Sequence, residues 1–190
     1  APVSVVAALD SSLAGTGHAA GDTFSTVESL NGSNRSGAGD RLRGDALANN
    51  ISGNGGDDTL EGRAGNDSLR GGMGNDSLNG GLGNDAFTYF SVAEAGDIVS
   101  DFNSAVAGNN DVFKFKSTAF GGLAVGALSA ANFRARPDNG AQDANDFFIF
   151  RNTDTTLWYD ANGSVNGAAN AVMIANLQAG ATMTSLDIVI

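Results

Sequence analysis

A nine-residue unit recurs four times without a gap: GNGGDDTLE from Gly53, GRAGNDSLR from Gly62, GGMGNDSLN from Gly71 and GGLGNDAFT from Gly80. Glycine holds the first place and returns at the fourth as Gly56, Gly65, Gly74 and Gly83. Aspartate holds the sixth place, as Asp58, Asp67, Asp76 and Asp85. The eighth place is large and apolar, and that ladder runs back before the clear repeats: Leu42, Ile51, Leu60, Leu69, Leu78, Phe87. One apolar residue every nine fits neither an amphipathic helix nor a hairpin. It fits a solenoid in which each unit is a turn followed by a very short strand.

In such a solenoid the glycines supply the turn, through positive φ and close backbone approach. The triplet around the eighth place supplies the strand, with its middle side chain inward and its flanks, such as Thr59 and Glu61, toward solvent. Two units close one flattened coil, so units two apart stack. Asp40, Asp58 and Asp76 then line one side, and Asn49, Asp67 and Asp85 the other. Stacked strands lie about 4.8 Å apart, and two carboxylates at that spacing repel by about 1 kcal/mol in water and by several in a protein-like medium. A cation relieves this. The spacing is roughly two calcium–oxygen bonds, and glycine turns offer carbonyls for an all-oxygen shell. Magnesium demands shorter octahedral contacts and zinc prefers His or Cys, which leaves calcium as the best match.

These repeats resemble the GGxGxDxUx units of the RTX (repeats-in-toxin) calcium-binding family. The stretch GDALANNISGNGGDDTLEG resembles the entry into an RTX roll, and VSVVAALDSSLAGTGHAAGDTFSTVESLNGS the strands before one. FTYFSVAEAGDIVSDF and FFIFRNTDTTLWYDANGSVNGAANAVMIANL resemble the C-terminal part of RTX proteins exported by type I machinery. The resemblance implies an all-β fold, a parallel β-roll with a C-terminal β-rich cap, binding several calcium ions. It carries the ligand role to Asp58, Asp67, Asp76 and Asp85, with carbonyls of the turns at Gly56, Gly65, Gly74 and Gly83. Two units depart from the pattern. The unit from Gly44 has Leu47 for the fourth-place glycine and Asn49 for the aspartate; the unit ending at Asp40 has Ala38 at the fourth place. Asp40 and Asn49 are therefore candidates at the edge of the set.

The 190 residues suit one domain: flanking strands over 1–34, the roll over 35–90, and cap plus secretion-signal region over 91–190. Strands are expected at Val3 to Leu9, Thr23 to Leu30, Asp111 to Phe115, Asp146 to Phe150, Leu157 to Asp160 and Ala171 to Leu177, with helical turns near Val92 to Glu94 and Ser129 to Asn132. The cap covers an apolar end rung that would otherwise invite aggregation. Asp97, Asp101 and Asp111 are either further calcium ligands or strand-end aspartates, whereas Asp160 to Gly163 lacks the later acid of an EF-hand and reads as a turn.

A net charge of −11 argues against nucleic acid and anionic membrane surfaces as partners. Cysteine is absent, so calcium takes over any stapling role. The chain has no apolar run long enough for a membrane span, and no signal peptide or initiator methionine at Ala1, as expected of a mature or excised piece. The lone histidine, His18, sits in a glycine-rich stretch and carries no assigned function. Trp158 and Tyr159 suit a cap-strand core better than a sugar-binding face. No HExxH, GxSxG, P-loop or cysteine nucleophile is present, so catalysis by this chain is not expected.

The expected function is a secreted module that folds on calcium outside the cell and supports type I export of a larger protein, with calcium and the export machinery as partners. Its terminal Leu186 to Ile190 resembles the acidic-plus-apolar signal of that route, or forms a last cap strand. Two alternatives remain. One is an extracellular adhesive, surface-layer or carbohydrate-binding module that meets a polysaccharide or like molecule. The other is the noncatalytic tail of a secreted protease, lipase or polysaccharide-modifying enzyme.

Overall fold

A computed structural model describes residues 4–9, 27–37, 39–104, 110–137, 145–162 and 171–190. His18 and Ala38, the first half of the Thr23 to Leu30 stretch and the end of the Asp160 to Gly163 turn lie outside the described residues. The repeat strands are β4 (Asn50–Gly55), β5 (Thr59–Ala64), β6 (Ser68–Met73), β7 (Ser77–Leu82) and β8 (Ala86–Tyr89). The first four are six residues long, so each runs on through the first-place glycine rather than stopping at the triplet. Units two apart pair in parallel: Leu60 faces Leu78, and Ile51 faces Leu69, which faces Phe87. The 18-residue coil and its parity follow the sequence expectation.

The two flanking strands do not pair with each other. β1 (Val6–Ala8) joins β3 (Arg41–Arg43) in one sheet, and β2 (Ser29–Asn31) joins β4 in the other, so Ala7 and Leu30 are further rungs. At the far end the ladder continues through β9 (Asp97–Val99), where Val99 faces Leu78, and β10 (Val112–Phe115), where Phe113 faces Phe87. The cap therefore lengthens both sheets. β11 (Phe133–Arg136), β12 (Phe148–Arg151), β13 (Thr156–Asp160) and β14 (Ala171–Leu177) extend one sheet to nine strands. β15 (Ile188–Val189) closes the other at six. Helical turns fall at Val92–Glu94 and Ala130–Asn132, near their expected places, and at two further places, Ser117–Ala119 and Ser185–Asp187, that the sequence reading does not include.

Leu42, Ile51, Leu60, Leu69 and Phe87 are fully buried between the sheets. Each such rung contributes about 1.5–3 kcal/mol of apolar burial, shared by nine residues that all lose backbone freedom. Beyond Phe87 the core widens into rings, with Phe115 packed 4.7 Å from Phe148 and Phe120 packed 5.0 Å from Tyr159, centroid to centroid. The roll is thus thinly cored and the cap heavily so. The open edge of β15 is covered by residues 126–128, where Gly126 and Ile190 exchange backbone hydrogen bonds and Leu128 N–H donates to the Ile188 carbonyl. This removes a free edge from that end.

Candidate metal centre

Each sixth-place residue enters a strand, and its carbonyl accepts from the residue opening the strand one coil further on, as Asp58 does from Ser77 at 2.8 Å. The carboxylates form a second, side-chain ladder. Asp58 Oδ1 accepts the Asp40 N–H (2.7 Å), Asp76 Oδ1 the Asp58 N–H (2.8 Å), Asp67 Oδ1 the Asn49 N–H (2.7 Å) and Asp85 Oδ1 the Asp67 N–H (2.8 Å). Half of each carboxylate is therefore satisfied by backbone of the neighbouring coil. The other half is not: Oδ2 of Asp58, Asp67, Asp76 and Asp85 is buried without a hydrogen-bond partner. Native structures rarely leave such atoms orphaned unless an ion or water completes them.

The first-place glycines owe their identity to this oxygen. Gly53, Gly62, Gly71 and Gly80 have ordinary φ, but a Cβ on any of them would collide with Oδ2 of the aspartate in the same unit. On Gly53 it would also lie 2.7 Å from the Gly71 carbonyl oxygen, and on Gly62 2.5 Å from that of Gly80. Positive φ belongs instead to the fourth place, at Gly56, Gly65, Gly74 and Gly83, and to the second, at Asn54, Arg63, Gly72 and Gly81. The two uses expected of the repeat glycines are thus divided, close approach falling to the first place and positive φ to the fourth.

The second place also separates Asp40 and Asn49 from the four repeat aspartates. Ser33 and Asp45, the residues after Gly32 and Gly44, lack positive φ, and their N–H groups donate to Asp40 Oδ2 (2.5 Å) and Asn49 Oδ1 (2.9 Å). Asp40 Oδ1 accepts from Val5 N–H as well, so both its oxygens are occupied. At the other end Asp97 and Asp111 extend the carboxylate ladder, accepting from Asp76 and Asp85 N–H at 3.0 Å each. Their second oxygens take the Tyr89 hydroxyl (2.8 Å) and the Asn103 N–H (2.9 Å). Asp101 receives the Gly80 and Gly81 N–H groups. Asn110-Asp111-Val112-Phe113 repeats the fifth-to-eighth-place pattern, and Asp97-Ile98-Val99 its Asp-x-apolar core, a signal that could have placed both residues by sequence.

The fifth place, assigned no role by sequence, builds a third ladder running the other way. Asp57 Oδ1 accepts the Asn75 N–H, Asn66 Oδ1 the Asn84 N–H, and Asn84 Oδ1 the Asn110 N–H, all within 2.9 Å. Of the two cap aromatics, Tyr159 is buried in the core and Trp158 is half-buried, its indole N–H donating to Thr156 Oγ1 at 2.7 Å. Asp160 accepts the Asn162 N–H as a turn residue does.

Burial, opposed by the neighbouring N–H donor and aided by nearby carboxylates, raises Asp58 to about 7 and Asp67 and Asp76 to about 6, and moves Asp85 upward. Asp97 rises to about 8 and Asp111 to about 6, again mainly through burial. Such a stack stays ionised at neutral pH only at a cost that a cation offsets. Among the described residues no three His, Cys, Asp or Glu side chains converge, so an ion held here would need backbone carbonyls beside a carboxylate oxygen. That all-oxygen set suits calcium.

The ladder sets an expectation for paired substitutions. Asp58 and Asp76 share a hydrogen bond and a side of the roll, whereas Asp58 and Asp67 lie on opposite sides. Alanine double-mutant cycles in calcium-loaded protein should show about 1 kcal/mol of coupling for Asp58/Asp76 and under about 0.5 for Asp58/Asp67. Equal coupling would contradict the two-unit coil.

Residues 36–68 and 52–87 match the family described as RTX calcium-binding nonapeptide repeat (4 copies). No curated protein matches the chain. Among solved structures 16 chains match. One is the solution structure of the AlgE6R3 subunit from the Azotobacter vinelandii mannuronan C5-epimerase, 26% identical, covering 80% of this chain and 77% of that one with a TM-score of 0.50. With the carboxylate ladders and parallel coils, these matches identify residues 36–87 as a run of RTX calcium-binding nonapeptide repeats.

Proposed function

We propose that this RTX module folds when calcium binds outside the cell and supports type I export of a larger protein, itself contributing no catalysis. Four buried orphan oxygens, one in each full repeat, carry the reading. They favour Asp58, Asp67, Asp76 and Asp85 as the carboxylate ligands, with turn carbonyls completing each site, over Asp40 and Asn49, whose side-chain oxygens already accept protein N–H groups. In a calcium-poor cytosol the repeats stay extended and threadable; outside, binding energy becomes folding energy.

The tail tests the export half. Ile188 and Ile190 are buried, Ile188 pairs with Phe113, and Asp187 forms a capping box with Thr184. Deleting Asp187 to Ile190 should remove about 3–6 kcal/mol of burial from the folded state. Export from cells carrying type I machinery should fall further than this loss explains, because an exporter reads the unfolded tail. The comparison is secreted yield against the calcium midpoint of the same truncation. Normal yield alongside a collapsed calcium response would leave the tail a strand and nothing more.

A second reading is favoured by the likeness to the epimerase subunit: the chain is the noncatalytic tail of a secreted polysaccharide-modifying enzyme. The coding sequence adjoining this segment tests it, since a catalytic domain in the same frame is required.

A further inference from the structure

The chain holds 21 acidic residues against 10 basic ones, yet the outward side of the six-stranded sheet is free of acid along a full row. Crossing the strands, that row reads Asn31, Ser52, Arg70, Thr88, Lys114, Val189. Lys114 and Lys116 are the only lysines in the sequence. Both are exposed, Lys114 on β10 and Lys116 in extended backbone just after it, and neither ammonium pairs with an acid among the described residues.

The lysines line a groove of about 290 Å³ together with Thr88, Phe90, Phe115, Val189 and Ile190. Phe90 is 48% exposed, an unusual place for a phenyl ring in a chain with a large aromatic core. Its pose is held: the Arg70 guanidinium lies 4.5 Å over the ring centroid and is itself anchored by buried Glu94. Arg70 is thus neutralised and positions the ring, while the lysines present uncompensated charge.

We propose that this face binds an acidic polysaccharide, a chain of carboxylated sugars, with Lys114 and Lys116 taking carboxylates and Phe90 taking the flat side of a sugar ring. Charge complementarity favours an anion, since both ammonium groups are exposed and without an ion-pair partner among the described residues of a strongly acidic protein. The sparseness of the cations selects against nucleic acid, which needs many phosphate contacts. Ser52 and Thr88, at strand spacing of about 4.8 Å from the cations beside them, suit the hydroxyls lying between carboxylates on a sugar chain. The inference needs only the calcium-loaded fold and rests on neither the export route nor the activity of any parent protein.

The test is binding of a galacturonic acid hexamer to calcium-loaded protein by calorimetry, with its methyl ester, single-stranded DNA and anionic vesicles as comparison arms. Expected is weak binding of the free acid, weakened further by salt and absent for the ester. Lys114→Gln/Lys116→Gln should lower affinity at least 10-fold and Phe90→Ala about 3-fold or more, with the calcium midpoint unchanged because these side chains are exposed. Circular dichroism on each variant confirms the fold. No binding by folded wild type overturns the proposal and leaves the calcium-folding reading standing. Full binding by the lysine variant, as calcium-bridged carboxylates would give, also overturns it, and so does equal or tighter binding of DNA or vesicles.

Discussion

Chelating calcium at neutral pH is expected to convert the β-rich protein into a largely disordered chain, with refolding on calcium addition over a cooperative midpoint in the submillimolar to millimolar range, on the scale of extracellular calcium modules. The cause lies in the four Oδ2 atoms, each buried and unpartnered, in a roll that gains one apolar rung per nine residues. Without the cation the carboxylates must be either ionised and unpaired or protonated. That choice has a pH signature. The metal-free folded state holds Asp58 at about 7 and Asp67 and Asp76 at about 6, against 3.8 ordinarily, so the fold binds more protons than the unfolded chain across this window. Raised carboxyl pKa values stabilise the fold below about 4 and lose that contribution as pH rises through about 6 to 7. In chelator, lowering the pH from about 8 to about 5 should therefore restore part of the β signal in circular dichroism. A full β spectrum in chelator at pH 8, or one that strengthens as pH rises, would falsify the account.

Leu69→Asp should be more damaging than loss of any single ligand. Leu69 is fully buried between Ile51 and Phe87, and an aspartate there puts a charge between the two walls of the core with no donor to meet it. The cost should exceed about 4 kcal/mol, against about 1–3 kcal/mol for Asp67→Ala, which removes an acceptor from one N–H and one site. Calcium titrations followed by circular dichroism separate them: Asp67→Ala shifts the midpoint upward, and Leu69→Asp gives no β transition at millimolar calcium. A Leu69→Asp protein that folds with a near-normal midpoint would mean the ladder is not the core of the roll.

Much of this was legible because a short repeat makes each physical requirement visible several times. The eighth-place ladder reveals the inward face, and 18-residue stacking by itself places Asp58 and Asp76 on one side. Legibility failed where spacing broke. Val99 and Phe113 are rungs like the rest, but they follow Leu78 and Phe87 at intervals of 21 and 26 residues because loops intervene, and a fixed period cannot find them. Asp97 and Asp111 read equally as ligands or strand-end aspartates for the same reason. Their partners, the Tyr89 hydroxyl and the Asn103 N–H, are brought to them only by the cap.

Composition and period by themselves determined the parallel coil, its two-sided parity and the preference for calcium, since nine residues with paired glycines, one acid and one apolar side chain admit little else. The tertiary structure decided which oxygens stay open. A carboxylate shows neither its Oδ1 donor nor its lack of an Oδ2 donor in sequence, because both depend on the neighbouring coil and on φ at the second place. It also decided that the flanking strands and the cap prolong the two sheets, and that the tail closes one of them. Hydrogen bonds between distant strands set those outcomes, which the local motifs at Asp97 and Asp111 mark only in part.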